Sequence, residues 1–256
     1  MRKCFFVLPV CLAIFSCTND DPPTDPSSDC IDLKKGLIAY YPFSGNAKDS
    51  SGNQKDGELV NGTFFGTDAR NKLNMAAEFD GIDDYIKISD QTNYFAPEKM
   101  TVSFMFNLRD VTKRSSFFVK ANFNSPTGVS WGSGISLSNQ SVVDFTVADP
   151  TGDCSSVWSY NPSAVLKSNI SLSNNRWYHV VVIYNYGVEM MYVNGVLNIA
   201  KINTYNYLKK CPASDFRIGG WWQNDIVSIN GKIDELRIYN RILCEDEIRK
   251  LATEVQ

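Results

Sequence analysis

The chain has 256 residues, with 28 acidic against 25 basic side chains and a formal charge of −3. A balance so near neutral, with its charges dispersed, excludes the basic footprint of a nucleic-acid-binding protein. A hydrophobic share of 43%, including 12% aromatic residues, excludes a disordered chain and can fill a sizeable core.

Residues 1–16 read as a signal peptide, with Arg2 and Lys3 ahead of an apolar run from Phe5 to Phe15. That run, roughly a dozen residues, is too short to span a bilayer as a helix. The sequence I-F-S-C at 14–17 resembles a bacterial lipobox, which implies lipidation of Cys17, although Ile14 stands where Leu is usual. A plain secretory signal with an incidental cysteine is the alternative. Residues 17–29 then form the lipid attachment and a tether, since T-N-D-D-P-P-T-D-P-S-S-D has no large apolar residue with which to order itself. Acidic residues directly after the cysteine resemble the export signal of Bacteroidota-type surface lipoproteins. The resemblance implies an outer-membrane, surface-exposed anchor, with a periplasm-facing one as the alternative.

Residues 30–256 carry no second Pro/Ser-rich linker and are read as one domain. Short strands are expected at 36–42, 74–80 and 84–88. In T-V-S-F-M-F-N-L at 101–108, large apolar residues recur at every second position, the pattern of a half-buried strand. Strands follow at 116–121 and 141–148. W-Y-H-V-V-V-I-Y-N at 177–185 is apolar on both alternating faces and suits a central strand covered on both sides. Within 188–200, Asn194-Gly195 between apolar runs marks a hairpin, because a type I′ turn needs positive φ at both central residues. Strands at 215–219 and 231–239 complete the set. Only Glu245 to Thr253 reads as a helix, with acidic residues in its first turn and Ile248 and Leu251 on one face. The predicted fold is therefore all-β: a two-sheet antiparallel jelly-roll sandwich with a short C-terminal helix.

Of seven cysteines, Cys4, Cys11 and Cys17 fall in the signal and lipid segment, which leaves Cys30, Cys154, Cys211 and Cys244. Four cysteines in an oxidising compartment allow three pairings. Cys30 precedes the first strand and Cys244 follows the last, while Cys154 and Cys211 lie in polar loops, so Cys30–Cys244 and Cys154–Cys211 is the expected pattern. A bridge closing so long a loop contributes on the order of 4–5 kcal/mol in the chain-entropy model. A zinc site is disfavoured by the lack of any C-x-x-C spacing and the single histidine, His179.

Five segments resemble one family: G-L-I-A-Y-Y-P-F-S-G-N-A-K-D-S-S-G-N (36–53), A-E-F-D-G-I-D-D-Y-I (77–86), R-W-Y-H-V-V-V-I-Y (176–184), M-Y-V-N-G (191–195) and G-K-I-D-E-L-R-I-Y-N-R-I-L (231–243). They resemble the laminin-G-like, concanavalin A-like jelly rolls of bacterial surface proteins, in the family's order. The resemblance implies a lectin, an adhesive or glycan-binding module, or a distant glycoside hydrolase, often with one calcium ion; it does not supply a substrate. It implies Asp234, in I-D-E-L-R-I-Y, as a calcium ligand, and Asp49, in the turn K-D-S-S-G-N, offers oxygen donors of the kind that a hard cation takes.

Catalysis has a weaker basis. Glu78, Asp80 and Asp83 in E-F-D-G-I-D superficially resemble the carboxylate pattern of hydrolases of this superfold, but Gly81 marks a turn that breaks the strand face. His179 lies mid-strand and reads as a packed, hydrogen-bonded core residue. No catalytic residue is assigned. Glycan recognition would instead use loop aromatics that stack on sugar faces: Trp131, Trp158, Tyr160, Trp221 and Trp222, with Asn224 and Asp225 beside them. The expected partner is an extracellular glycan, with a protein partner and glycoside hydrolysis as rival readings.

Overall fold

The computed structural model describes residues 30–122, 128–135, 141–151, 164–211, 214–220 and 227–254. Two antiparallel sheets face each other. Sheet A runs β13 (Val196–Ile202), β12 (Val188–Val193), β11 (Trp177–Asn185), β6 (Lys99–Leu108), β15 (Asn230–Tyr239), β4 (Ala76–Asp80), β3 (Phe64–Gly66), and β1 (Leu37–Tyr41) also pairs with β15. Sheet B runs β10 (Val165–Lys167), β9 (Val143–Val147), β8 (Gly128–Ile135), β7 (Ser115–Asn122), β14 (Ser214–Ile218), β5 (Tyr85–Asp90), β2 (Glu58–Val60). This is the expected jelly-roll sandwich, and its one helix among the described residues is α1 (Glu245–Glu254).

The core follows from strand alternation. Phe104 and Phe106 of β6 point inward and meet Phe117 and Phe118 of β7, with Phe106 and Phe117 4.4 Å apart between ring centroids. Trp131 of β8 and Phe216 of β14 extend the aromatic layer at 5.4 Å. The other face of β11 is apolar for a separate reason: Val181 and Ile183 pack, with Tyr239, under Leu243, Ile248 and Leu251 at and within α1. The double-sided apolar pattern of 177–185 thus reports a strand between the core and the helix.

The entry to α1 is tied down by one buried carboxylate. Glu247, the third helical residue, accepts the Cys244 N–H at 3.0 Å, as in half of a capping box, and also the Asp32 N–H at 3.0 Å. Arg241 neutralises it through both terminal nitrogens, at 2.6 and 2.8 Å. A disulfide joins Cys30 to Cys244 with Cα atoms 6.6 Å apart, so the start of the domain is fastened to the helix side of sheet A. Cys211 is disulfide-bonded as well, while Cys154 lies outside the described residues.

Asn194 and Gly195 have φ of 49° and 81° and join β12 to β13, as the hairpin signal requires. Four strands were not expected from the sequence. β2 and β3 have three residues each and β10 also three, too short for alternation to register. β8 reads G-V-S-W-G-S-G-I, whose glycines and serines look like a loop in sequence.

Candidate functional site

The carboxylate-rich block at 79–88 proves to be a crossing between the two sheets, since β4 lies in sheet A and β5 in sheet B. Asp84 is buried and organises this crossing: Oδ1 accepts the Gly62 N–H at 2.6 Å and Oδ2 the Asp80 N–H at 3.0 Å. Asp80 in turn accepts the Ile82 N–H at 2.7 Å, and Gly81 has φ of 80° with the Asn230 side chain against it. Asp80, Asp83 and Asp84 bring oxygens within 4.8 Å of one another, but the hydrogen bonds found there serve the turn. Glu78 is held by Arg109 and, at 3.7 Å, by Lys232. Its carboxylate is thereby engaged by two cations in sheet A.

His179 is a buried residue hydrogen-bonded to Ser103 Oγ at 2.8 Å through Nε2. Burial, with the Arg237 guanidinium adding to it, pushes its pKa down to about 3, so the ring is neutral.

The two expected calcium ligands differ. Asp49 Oδ1 accepts the N–H groups of Tyr40 and Ser51 at 3.0 and 2.9 Å, and Oδ2 accepts Ser51 Oγ–H at 2.9 Å and Lys55 N–H at 3.1 Å. Four donors occupy both oxygens, so a cation there would have to displace them. Asp234 sits where β15 changes partner from β4 to β1, at a bulge whose next residue, Glu235, has φ of 53°. Its Oδ1 accepts the Glu235 N–H at 2.8 Å. Burial, then the Glu235 carboxylate and more weakly Asp68, push its pKa up to about 8. Glu235 is itself engaged by the Tyr40 hydroxyl and Arg237, and among the described residues the carboxylates close enough together to share an ion are Asp80, Asp83 and Asp84 rather than Asp234 or Asp49.

Of the aromatic residues proposed to meet sugar, Trp131 is excluded. It lies on β8 with its ring wholly buried against Phe118 and Phe216, and its indole N–H donates to the Phe95 carbonyl at 2.7 Å. Its Gly/Ser surroundings suggested a loop, yet alternation along β8 turns it into the core. Trp158, Tyr160, Trp221, Trp222, Asn224 and Asp225 lie outside the described residues, as does Cys17.

A site that the sequence did not reveal lies on the outer face of sheet B. Gly132 and Gly134 of β8 pair with Thr146 and Asp144 of β9 and with Val119 and Ser116 of β7, at the outward positions of all three strands. Two missing side chains in mid-sheet leave a depression of about 70 Å³, with Val119, Val129 and Val227 as its apolar lining. A side chain at either glycine would collide with β7, because Cβ would come 2.9 Å from Phe118 O or 2.2 Å from Ser115 O. Polar residues at its rim are Arg114, Ser116, Asp144 and Thr146, whereas Ser115 and Ser133 pair with the core residues Ile135, Phe118 and Phe145 and so alternate to the other face. Asp144 Oδ1 accepts the Gly134 N–H at 3.1 Å. Ser115 Oγ is buried and has no hydrogen-bond partner. Val227 directly follows the 221–226 stretch that carries Trp221 and Trp222, and Val129 closely follows 123–127. A second, wider hollow of about 400 Å³ lies among Pro97, Glu98, Pro150, Tyr207, Leu208 and Lys210.

A two-sheet antiparallel sandwich with, among the described residues, one helix on the back of sheet A and a mainly apolar depression on the back of sheet B defines the jelly-roll class of domain. The chain belongs to the concanavalin A-like lectin/glucanases superfamily, whose Laminin_G_3 family model matches residues 80–249. Among solved structures it is similar to domain 4 of AbnA, a GH43 extracellular arabinanase from Geobacillus stearothermophilus, in complex with arabinotriose. Identity there is 21%, coverage 84% of this chain and 98% of that one, and the TM-score 0.57. It is also similar to the binding domain of botulinum neurotoxin DC in complex with SialylT, at 15% identity and TM-score 0.62, covering 88% of this chain and 53% of that one. The receptor binding domain of botulinum neurotoxin D gives 16% identity and a TM-score of 0.62, with 87% and 54% covered. The chain thus spans about half the length of the toxin domains that it matches. At these identities the likeness establishes the fold. No curated protein sequence matches the chain.

Proposed function

We propose that this chain is a non-catalytic glycan-binding module, with the outer face of sheet B as its binding face. The observation that carries this reading is the depression over Gly132 and Gly134, where the Asp144 carboxylate and the Arg114 side chain lie beside three valines. Sugars present alternating hydroxyls and C–H patches, and such a mixture complements them. Asp144 is the one carboxylate among the described lining residues, whereas glycoside hydrolysis uses a pair. Two of the similar folds were solved with arabinotriose and SialylT, which supports a saccharide as the ligand class. Trp158, Trp221 and Trp222 remain the aromatic residues that we propose as sugar contacts.

The same reading makes the chain a lipoprotein held at the outer membrane through Cys17, facing outward. The geometry of the domain is favourable to such an arrangement. Cys30 is bound to Cys244 beside α1 on the back of sheet A, so a tether ending there leaves from the side opposite the depression. A calcium ion at Asp234 belongs to the proposal as a structural ion.

The test is an array of neutral and sialylated glycans probed with the full chain, together with an assay for released reducing sugar. Retention on particular glycans with no product is the expected result. Product formation would replace the proposal with hydrolysis, and neither retention nor product would leave the protein-adhesion reading in its place.

A further inference from the structure

The outer face of sheet A is covered by α1 over only part of its width. Along β12, Val188, Met190 and Tyr192 lie directly opposite Ile202, Ala200 and Leu197 of β13. The alternate residues Met191, Val193 and Ile199 belong to the core or pack against it, so these six side chains point outward. None of the six is charged. Tyr192 is buried beneath α1 and Met190 packs beside it. The rest of the strip lies open: Val188 is 38% exposed, Leu197 48% and Ile202 82%, and Ala200 is exposed as well. The outward face of an antiparallel strand pair ordinarily carries polar residues, and a contiguous apolar one marks a contact surface.

Its extent and its position decide what it meets. A standard protein interface engages about 20–30 residues a side, far more than the few open side chains of this strip. Pairing through the strand edge is hindered as well, although β13 ends sheet A. Asn169 donates its N–H to Asn198 Oδ1 at 2.7 Å and its side-chain amide to the Asn198 carbonyl at 3.3 Å, and Lys201 Nζ donates to the Val165 carbonyl of β10 at 3.0 Å. A second copy of the chain therefore finds neither the area nor the open edge of a stable dimer.

The strip does lie on the side from which the tether leaves. Cys30 is joined to Cys244, which directly precedes α1. The same helix packs on the β12–β13 turn, where a Cβ at Gly195 would lie 3.1 Å from Ala252 Cβ. Helix, tether exit and strip thus share the back of sheet A, and α1 is only about 15 Å long. The stretch from Cys17 to Cys30 spans at most roughly 45 Å. A lipid on Cys17 holds the domain beside a bilayer with this side nearest the anchor. There a contact too small to join two proteins in solution becomes effective, because the anchor keeps its local concentration high.

Resting on the lipid-anchor reading, we propose that the β12–β13 strip is a lipid-contact surface that lays the back of sheet A on the bilayer carrying the anchor. Leu197 and Ile202 enter its interfacial region, and the depression on sheet B is turned away from it.

The experiment expresses the full chain with its own signal, weighs the mature N-terminus, and reconstitutes the protein into vesicles of phosphatidylethanolamine and phosphatidylglycerol that contain a lipid with a photoreactive acyl chain. Peptide mass spectrometry locates the label in wild type, Ile202→Asp, Leu197→Asp and Leu73→Asp, and thermal melting reports whether each variant folds. Leu73, 74% exposed between β3 and β4, is the control. The expected result is label concentrated within 188–202, reduced fivefold or more in Ile202→Asp and Leu197→Asp and unchanged in Leu73→Asp. Should Leu197→Asp fail to fold, Ile202→Asp decides. Label that is absent from 188–202, unaltered by Ile202→Asp, or reduced equally by Leu73→Asp overturns the surface and leaves the anchor reading standing. A dimer in detergent solution that Ile202→Asp dissociates assigns the strip to a second copy and overturns it too. A mature chain without lipid on Cys17 removes both.

Discussion

Lys120 Nζ lies 2.9 Å from Asp90 Oδ2, and both side chains are wholly buried at the edge of the core. The pair is fully equipped with further bonds. Lys120 also reaches Ser214 Oγ, while Asp90 accepts the N–H groups of Tyr94 at 2.6 Å and Phe95 at 3.0 Å. Phe95 is the residue whose carbonyl receives the Trp131 indole, so one ionic centre holds the loop that supports the tryptophan.

Removing one partner of such a pair leaves an uncompensated buried charge, which costs about 3–5 kcal/mol. Lys120→Met should show a loss of that size in urea unfolding. Lys120→Met with Asp90→Asn should be less damaged than the sum of the single changes, because it leaves no bare charge.

Asp84 should matter for stability and Asp83 should not. Replacing Asp84 by Ala leaves the Gly62 and Asp80 N–H groups without their acceptor, a loss of about 1–3 kcal/mol. Asp83 is exposed, and Asp83→Ala should stay within about 0.5 kcal/mol in the same unfolding experiment. A larger effect of Asp83 would show that the cluster does more than shape the crossing between sheets.

His179 gives the fold an acid-sensitive element. Its folded pKa, about 3, lies below the ordinary value of 6.5, so the unfolded chain binds the extra proton between these limits. Its contribution to stability is complete above about pH 6.5 and is lost as pH falls toward 3, by at most about 1.4 kcal/mol per unit. Denaturation at pH 7 and pH 5 should show wild type losing more stability than His179→Gln.

Calcium at Asp234 predicts a rise in melting temperature when calcium replaces EDTA, since an ion bound only to the folded state stabilises it by mass action. Asp234→Asn should show no such rise, and in EDTA it should melt no lower than wild type, because a crowded buried carboxylate has been removed. Asp49→Asn should lose stability equally with and without calcium, because the four donors that its carboxylate satisfies belong to the fold. A calcium response that persists in Asp234→Asn would reject the site.

Local chemistry was sufficient for most of the architecture. Alternation at 101–108 and 177–185, positive φ at Asn194-Gly195 and the amphipathic run from Glu245 are all properties of near neighbours, and the structure follows them. Even the Cys30–Cys244 bridge could be inferred, because both residues flank the strand set. What the tertiary structure alone decided is which residues share a face. Trp131 went inward and Gly132 and Gly134 outward because β8 is a paired strand, although its glycines and serines looked like a loop. The depression exists only where β7, β8 and β9 lie side by side. Its residues, Ser116, Gly134 and Asp144, are separated in the chain and adjacent in the sheet. No period along one strand can encode a juxtaposition that hydrogen bonding between three strands creates.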